Sequence, residues 1–551
     1  MKSAPGARTD LLALVVGMLG TAAWHAPLLR SGFDRMPGDR GDARANVYLV
    51  EHWYHVFRGQ AEALSPGMVF PVKGTIGYSE TMFVHALPYS GLRLAGMDMF
   101  SALAVPLVLF NFLNYAACFY LLRRVLGLDT IASIAGAMFF AFNSPRFNHA
   151  GHYGYQASFF LPLVIACVVR LVQRRASLTQ GQAFGLLAAA ALSLALQFVV
   201  SPYQGWMFVF WSCLFLVIVF SVRSTRRVTM ELVRRFGTAL AAGAVVLAIG
   251  LYPLFLVYMP VAATEGPRPY RLVNELIPDA WSLLRMGDGN FIWGGVSGAL
   301  SRAHPLFSTE LNVGIGLIPS LVLLVVSFWA VRTIVADVRG QTLSPGIQRL
   351  SLAALILATA VFYAIGMKYP DESTPWHLVY RFVPGADGLR AIARYVLVLT
   401  LPISIMLAVV VHRALQKIAA HSYELSRRGL TAVLFAVVAL GIVEQFGRAP
   451  SFSASEERSR LQMLATSLPS NCGVFYAAAA PGRAPGKHED QIDAMLVSVM
   501  RGVPTVNGYA GHVPPGWSLR EVDAPDYEQR VAQWITQHRV AGPVCRLEIG
   551  D

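Results

Sequence analysis

Charge is scarce in this chain. Only 14% of its 551 residues are Asp, Glu, Lys or Arg, whereas a soluble globular protein carries about a quarter. That deficit excludes an ordinary soluble domain as the account of the whole chain. Cysteine is also scarce, with five in all. No Cys-x-x-Cys pair and no His/Cys cluster has zinc spacing. Low-complexity tracts and internal repeats are absent.

What replaces charge is apolar sequence. The chain is 55% hydrophobic with a mean hydropathy of +0.50. Apolar runs near 11–29, 99–121, 129–143, 155–172, 183–200, 205–221, 238–260, 312–331, 350–367, 395–412 and 429–445 are spaced as membrane helices, each near the roughly 20 residues a crossing needs. The expected class is an α-helical polytopic membrane protein with about 11 transmembrane helices. The first run follows Lys2 and Arg8 and ends near Thr21-Ala22-Ala23. It reads as a retained helix rather than a cleaved signal peptide.

The formal net charge is +13, which in a soluble protein would suggest nucleic acid. Here the arginines sit at the ends of apolar runs, and no nucleic-acid partner is expected. Arg123-Arg124, the group Arg170, Arg174 and Arg175, the cluster from Arg223 to Arg235, Arg332 with Arg339, and Arg413 to Arg428 all fall in alternate loops. The positive-inside bias puts those loops in the cytoplasm. The other loops, and the C-terminal end, then face outward. The first outer loop spans about 30–98, and others run about 262–311 and 368–394.

The composition changes near 446. Residues 1–445 form the membrane part, and 446–551 read as a small C-terminal α/β extracytoplasmic domain. Gly473 onward and Val544–Ile549 pattern as strands, Asp490–Met500 and Ala524–His538 as helices, and Val503–Gly511 as a strand and turn. Cys472 and Cys545 fall at the starts of two strands, so a disulfide is expected if that domain meets an oxidising compartment. Cys118, Cys167 and Cys213 lie in apolar runs and read as packing residues.

The densest polar chemistry beside the membrane is Gly38-Asp39-Arg40-Gly41-Asp42. It opens the first outer loop ahead of an aromatic amphipathic run from Val47 to Phe57, expected to lie at the membrane interface. Asp42 suits a helix N-cap and equally a general base; Asp39 can share that role or hold a metal. Glu51 and His55 are one helical turn apart, as a solvated pair or a sugar-binding face, and His52 is beside them. His149 and His152 are three residues apart, with Tyr153, Tyr155 and Tyr203 expected at the interface. Tyr270, Arg271, Asp288 and Glu310 lie in the outer loop before the run at 312; Asp288 suits a turn and Glu310 a cap. Arg390 and Arg394 are one turn apart on the side where arginine is less expected, a good place for a phosphate.

This layout resembles the GT-C superfamily of polytopic membrane glycosyltransferases. The resemblance rests on the acidic motif after the first membrane helix, on the helix count, and on the segments Asn143-Ser-Pro-Arg146-Phe-Asn148-His149 and Asp387-Gly388-Leu389-Arg390-Ala391-Ile392-Ala393-Arg394. The Trp-Trp-Asp signature of oligosaccharyltransferases is absent. The resemblance implies a multi-pass protein of the bacterial inner membrane that serves envelope polysaccharide biosynthesis. It further implies a polyprenyl-phosphate sugar donor in the lipid, a glycan, lipid or protein acceptor, and transfer with inversion. Asp42 with Asp39 would be catalytic. Glu51, His52, His149, His152, Tyr203, Arg271, Asp288, Arg390 and Arg394 would bind substrate. A divalent metal is an open option as cofactor. Two other classes fit the same layout: a transporter or flippase of a lipid-linked or polar substrate, and a non-catalytic assembly protein. A transporter should carry polar residues at midmembrane, whereas here they crowd the outer helix ends.

Overall fold

The computed structural model describes residues 7–303, 308–339, 346–480 and 488–550. Lys2 of the basic N-terminus lies outside the described residues. Helix α1 is Ala7–Trp24. A short strand β1, Arg35–Pro37, and helix α2, Asp42–Phe57, follow. Then come α3 (Phe83–Leu94), α4 (Met99–Tyr120), α5 (Thr130–Ala141), α6 (Phe160–Arg174), α7 (Gln180–Val200) and α8 (Pro202–Ser221). The membrane part ends with α9 (Arg223–Glu265), α10 (Leu317–Val338), α11 (Ile347–Ile365), α12 (Tyr395–Ala419) and α13 (Glu424–Val443).

Nine helices among the described residues are long and apolar enough to cross a membrane: α4 and α6 through α13. The other two of the eleven expected segments are α1 and α5. Helix α5 has 12 residues, about 18 Å of helix, against a hydrocarbon core of about 30 Å. It is mostly buried and packs beside α4 and α12. Its small side chains suit that role: Gly136 lies so close to the Ser404 carbonyl that a Cβ would come within 2.8 Å of it.

The C-terminal segment forms β2 (Ser451–Ser453), α14 (Ala454–Ser467), β3 (Val474–Ala479), α15 (Glu489–Arg501), α16 (Tyr527–Gln537) and β4 (Val544–Ile549). Strands β3 and β4 pair in parallel, and a disulfide joins Cys472 to Cys545 with Cα atoms 5.9 Å apart. Residues 503–511, expected as a strand and turn, add only a bridge from Thr505 to Phe475. The segment between α1 and α4 adds hydrogen bonds: Val69 and Phe70 N–H groups donate to Asn507 and Thr505 carbonyls at 2.8 and 2.9 Å. Strand β1 also pairs antiparallel with β2.

The segment between α1 and α4 and the C-terminal segment therefore share one apolar core. Val47, Tyr48 and Val50 of α2 pack in the same cluster as Phe475, Ile492 and Trp534. Eleven of the sixteen residues of α2 are buried. The apolar face of α2 is covered by protein, and its buried cation is paired. Arg44, wholly buried, binds Asp493 and, at 3.0 Å, Glu457. Arg40 reaches Glu457 at 2.6 Å, and Arg460 donates to Asp493 at 2.7 Å. Each buried cation here has a carboxylate, as the cost of desolvating charge requires.

Candidate active site

The start of α2 is pinned to the loop between α5 and α6. Gly38 has φ +102°, and a Cβ there would lie 2.5 Å from the Gly151 Cα. Only glycine permits that approach, and it brings Asp42 beside His152. The α5–α6 loop is shaped from within. Asn143 caps the short helix Ser144–Asn148. The buried Arg146 guanidinium donates to the Tyr155 carbonyl at 2.7 Å, and Gln156 donates to the carbonyls of Arg146 and His149.

Gly41, not Asp42, is the N-cap of α2. The capping role expected of Asp42 is thereby corrected: Asp42 is already the first helical residue, and its carboxylate points elsewhere. Oδ1 accepts a 2.9 Å hydrogen bond from the Tyr509 hydroxyl, and Oδ2 lies 3.2 Å from His152 Nδ1. Asp39 turns back on its own chain, accepting from the Gly41 N–H at 2.9 Å.

His152 Nε2 is 3.3 Å from Glu310 and 2.9 Å from an Arg394 nitrogen. Since guanidinium only donates, neutral His152 accepts from Arg394 at Nε2 and donates its Nδ1–H to Asp42. Arg394 grips Glu310 with both ends of its fork, one contact being Nε to Oε2 at 2.9 Å. It lies over the rings of Tyr155 and Tyr203 and also donates to the Tyr155 hydroxyl. Glu310 takes a further contact from His149 at 3.2 Å. Burial alone would raise the Glu310 pKa. The Arg394 charge and the hydrogen bonds from His149, His152 and Arg394 instead hold it well below the usual carboxylate range. For His152, burial and Arg394 pull the pKa down, but the Glu310 hydrogen bond and the charges of Asp42 and Glu310 outweigh them, and it is raised. Glu80, nearby, is pushed up by burial and accepts from Ser201 at 2.9 Å.

These groups surround a cavity of about 790 Å³. Asp42, Asn46, His152, Tyr155, Tyr203, Arg268, Glu310, Arg390 and Arg394 line it, and His488, Tyr509 and Arg520 come from the C-terminal segment. Arg390 is exposed to the cavity and makes no ion pair among the described residues; its backbone N–H donates to the Tyr203 hydroxyl at 2.7 Å. Arg268 donates to carbonyls of Gly388 and Gly511 and meets His512 at 2.6 Å. Burial, then Arg268 and Arg390, lower His512 to about 4, so it is neutral near pH 7. An apolar groove of about 440 Å³ abuts the cavity. It is lined by residues such as Leu251, Phe255 and Met259 of α9, and shares Phe198 and Tyr258 with the cavity.

Of the residues singled out from sequence, Asp42, His152, Tyr203, Arg390 and Arg394 line the cavity, and His149 supports Glu310 from behind. Glu51, His52, Arg271 and Asp288, expected to bind substrate, do not line it, and neither does Asp39, expected to be catalytic. Glu51 is buried against Arg93, at 2.9 and 2.8 Å, and Tyr89. Burial would raise its pKa, but His55 and Arg93 hold it down to about 2. His52 is buried, with Nε2 3.1 Å from the Ala63 carbonyl. Arg271 and Asp288 are exposed in the loop before α10, and Asp288 accepts from Ser301 at 3.4 Å. Glu310, read as a cap, is the counter-ion of Arg394. Glu80 and Arg268 carried no motif. Tyr509, read as part of a turn, touches the acid. Among the described residues no group of three or more His, Cys, Asp or Glu is arranged to hold a metal ion. The site residues fit a divalent cation poorly, because Glu310 and His152 are already turned to the Arg394 guanidinium.

No protein-family model and no curated protein matches the chain. Solved structures do. The apo oligosaccharyltransferase of Archaeoglobus fulgidus is similar over 96% of this chain and 68% of that one, at 11% identity and TM-score 0.51. A mutant form of the arabinofuranosyltransferase AftD from Mycobacteria is similar over 88% of this chain at 15% identity and TM-score 0.50. This chain spans about a third of AftD's length, 31%. The fold is therefore similar to that of this oligosaccharyltransferase and this arabinofuranosyltransferase.

Proposed function

We propose that the protein is a membrane glycosyltransferase that moves a sugar from a polyprenyl-phosphate donor to an extracytoplasmic glycan, lipid or protein acceptor. The observation that carries this is Asp42 and the unpaired Arg390 lining one polar cavity that continues into an apolar groove. The groove suits a prenyl chain, and the cavity a sugar and a phosphate.

In this reading the acceptor hydroxyl attacks the anomeric carbon from the Asp42 side. The bond from that carbon to the phosphate oxygen breaks, and polyprenyl phosphate leaves with inversion. Asp42 takes the hydroxyl proton. Both of its oxygens already accept one hydrogen bond, yet a carboxylate has about four lone-pair sites, so a position remains for the acceptor. Arg390 meets the negative charge that grows on the leaving phosphate, where fixed cations act most strongly. Arg394, committed to Glu310, orients His152 and so the carboxylate. The cavity belongs on the outer side of a bacterial inner membrane, with the N-terminus cytoplasmic; the arginine-rich loops support that orientation.

The test uses purified protein and a panel of radiolabelled polyprenyl-phosphate pentoses and hexoses with extracted envelope glycan. Wild type is expected to release polyprenyl phosphate, with Asp42→Asn and Arg390→Gln each losing about 10²-fold or more in rate. Full activity in both variants would overturn the site. Translocation of intact donor by wild type without cleavage would overturn the enzyme reading.

A further inference from the structure

A second cation cluster lies at the far end of the helices from the candidate active site. Arg413 is nineteen residues beyond Arg394 along α12, about 28 Å of helix. That is close to one hydrocarbon thickness, so Arg413 stands at the headgroup level of the opposite membrane face. Arg349, in the first turn of α11, shares an aromatic partner with it. The two guanidinium groups pack on one indole: the Arg349 and Arg413 carbons are 5.6 and 5.5 Å from the centre of the Trp329 ring on α10. Neither arginine makes an ion pair among the described residues. Both are exposed. Beside Arg413 and Trp329 is a recess of about 90 Å³, otherwise apolar, lined by Val326, Leu352, Ile356 and Met406.

We infer that Arg349, Trp329 and Arg413 form a binding site for an anionic phospholipid. The phosphodiester bridges the two guanidinium forks, which are suited to its oxygens, and the start of an acyl chain fills the recess. The charge pattern selects the headgroup. With no carboxylate in the cluster, a choline or ethanolamine cation finds no partner and two like charges, whereas a net-negative headgroup finds two opposite ones. Trp329 stacks with both cations and holds them on the recess, where free arginines would spread along the surface. The site does not depend on the glycosyltransferase reading.

The test is native mass spectrometry of full-length protein in dodecylmaltoside, titrated with dioleoylphosphatidylglycerol or dioleoylphosphatidylcholine. Wild type is expected to retain the phosphatidylglycerol at least tenfold more strongly. Each arginine near a membrane surface adds about fivefold to anionic-lipid affinity, so Arg349→Gln with Arg413→Gln should lose most of that preference. Trp329→Leu should weaken retention with no change of charge. Arg234→Gln, at the same membrane face on α9, should change nothing. Equal retention of both lipids by wild type, or an equal loss in Arg234→Gln, would overturn the proposal. Unchanged thermal melting identifies variants that are folded; if the double variant melts early, Trp329→Leu and the single arginine variants decide.

Discussion

The Tyr509 hydroxyl donates to Asp42 Oδ1 at 2.9 Å across 467 residues of sequence. His488 stacks on the Tyr509 ring, with centroids 4.8 Å apart. The C-terminal segment thus reaches into the cavity and touches the proposed base. A hydrogen bond to a charged group contributes roughly 1.5–3 kcal/mol. Tyr509→Phe should therefore lower kcat by about tenfold or more, leaving KM for the donor unchanged. Steady-state transfer kinetics check this against Asp42→Asn as the floor.

His152 predicts a pH dependence. Its folded pKa is raised above 6.5. The protonated form is therefore favoured by folding below that value, and its stabilisation is lost as pH rises through the folded pKa. Protonated His152 also draws charge from Asp42 and weakens it as a base. The rate should rise with pH through an apparent pKa above 6.5. His152→Gln should remove that limb of the kcat/KM profile.

Arg390 and Arg394 should behave differently although they are one turn apart in sequence. Arg390 has no ion pair to lose, so Arg390→Gln should reduce turnover without shifting the melting temperature. Arg394→Gln leaves the buried Glu310 with only His149 and His152 beside it, and breaking a buried pair typically costs about 3–5 kcal/mol. It should lower both melting temperature and activity, as read by thermal denaturation in detergent.

Glu51 should be structural. Glu51→Gln breaks the pair with Arg93 and should destabilise by about 3 kcal/mol, with the folded fraction turning over normally. Its depressed pKa, about 2, means this stabilisation is present above the ordinary carboxylate pKa. It fades as pH falls toward 2.

Arg44 holds the C-terminal segment to α2. Arg44→Ala leaves Asp493 only Arg460 and Glu457 only Arg40, and breaking a buried pair costs about 3 kcal/mol. Limited proteolysis should then cut within 454–551 at a concentration that leaves wild type intact.

Sequence reading succeeded where a local signal had one physical cause. Long apolar runs form helices because backbone polar groups must be satisfied internally in lipid, and α4 and α6 through α13 are where the runs were. For α5 it found the helix but not its role, because a short apolar run reads alike whether it spans or lies inside a bundle. The amphipathic pattern of α2 was legible, but not what covers its apolar face: membrane interface and protein core ask for the same side chains. The partner of Glu51 was illegible for a related reason. A carboxylate on a helix looks the same whether it faces a substrate or an arginine 42 residues away.

The sequence by itself determined the membrane-embedded class, most of the helices, and the two places richest in polar chemistry, Asp42 and Arg390 with Arg394. Composition and periodicity carry that information because desolvation acts residue by residue. Only the tertiary structure decided the partners. Arg394 belongs to Glu310, His152 joins it to Asp42, and Tyr509 closes the site from the C-terminal segment. Those are pairings between distant parts of the chain, set by how the helices pack, and no local pattern encodes them.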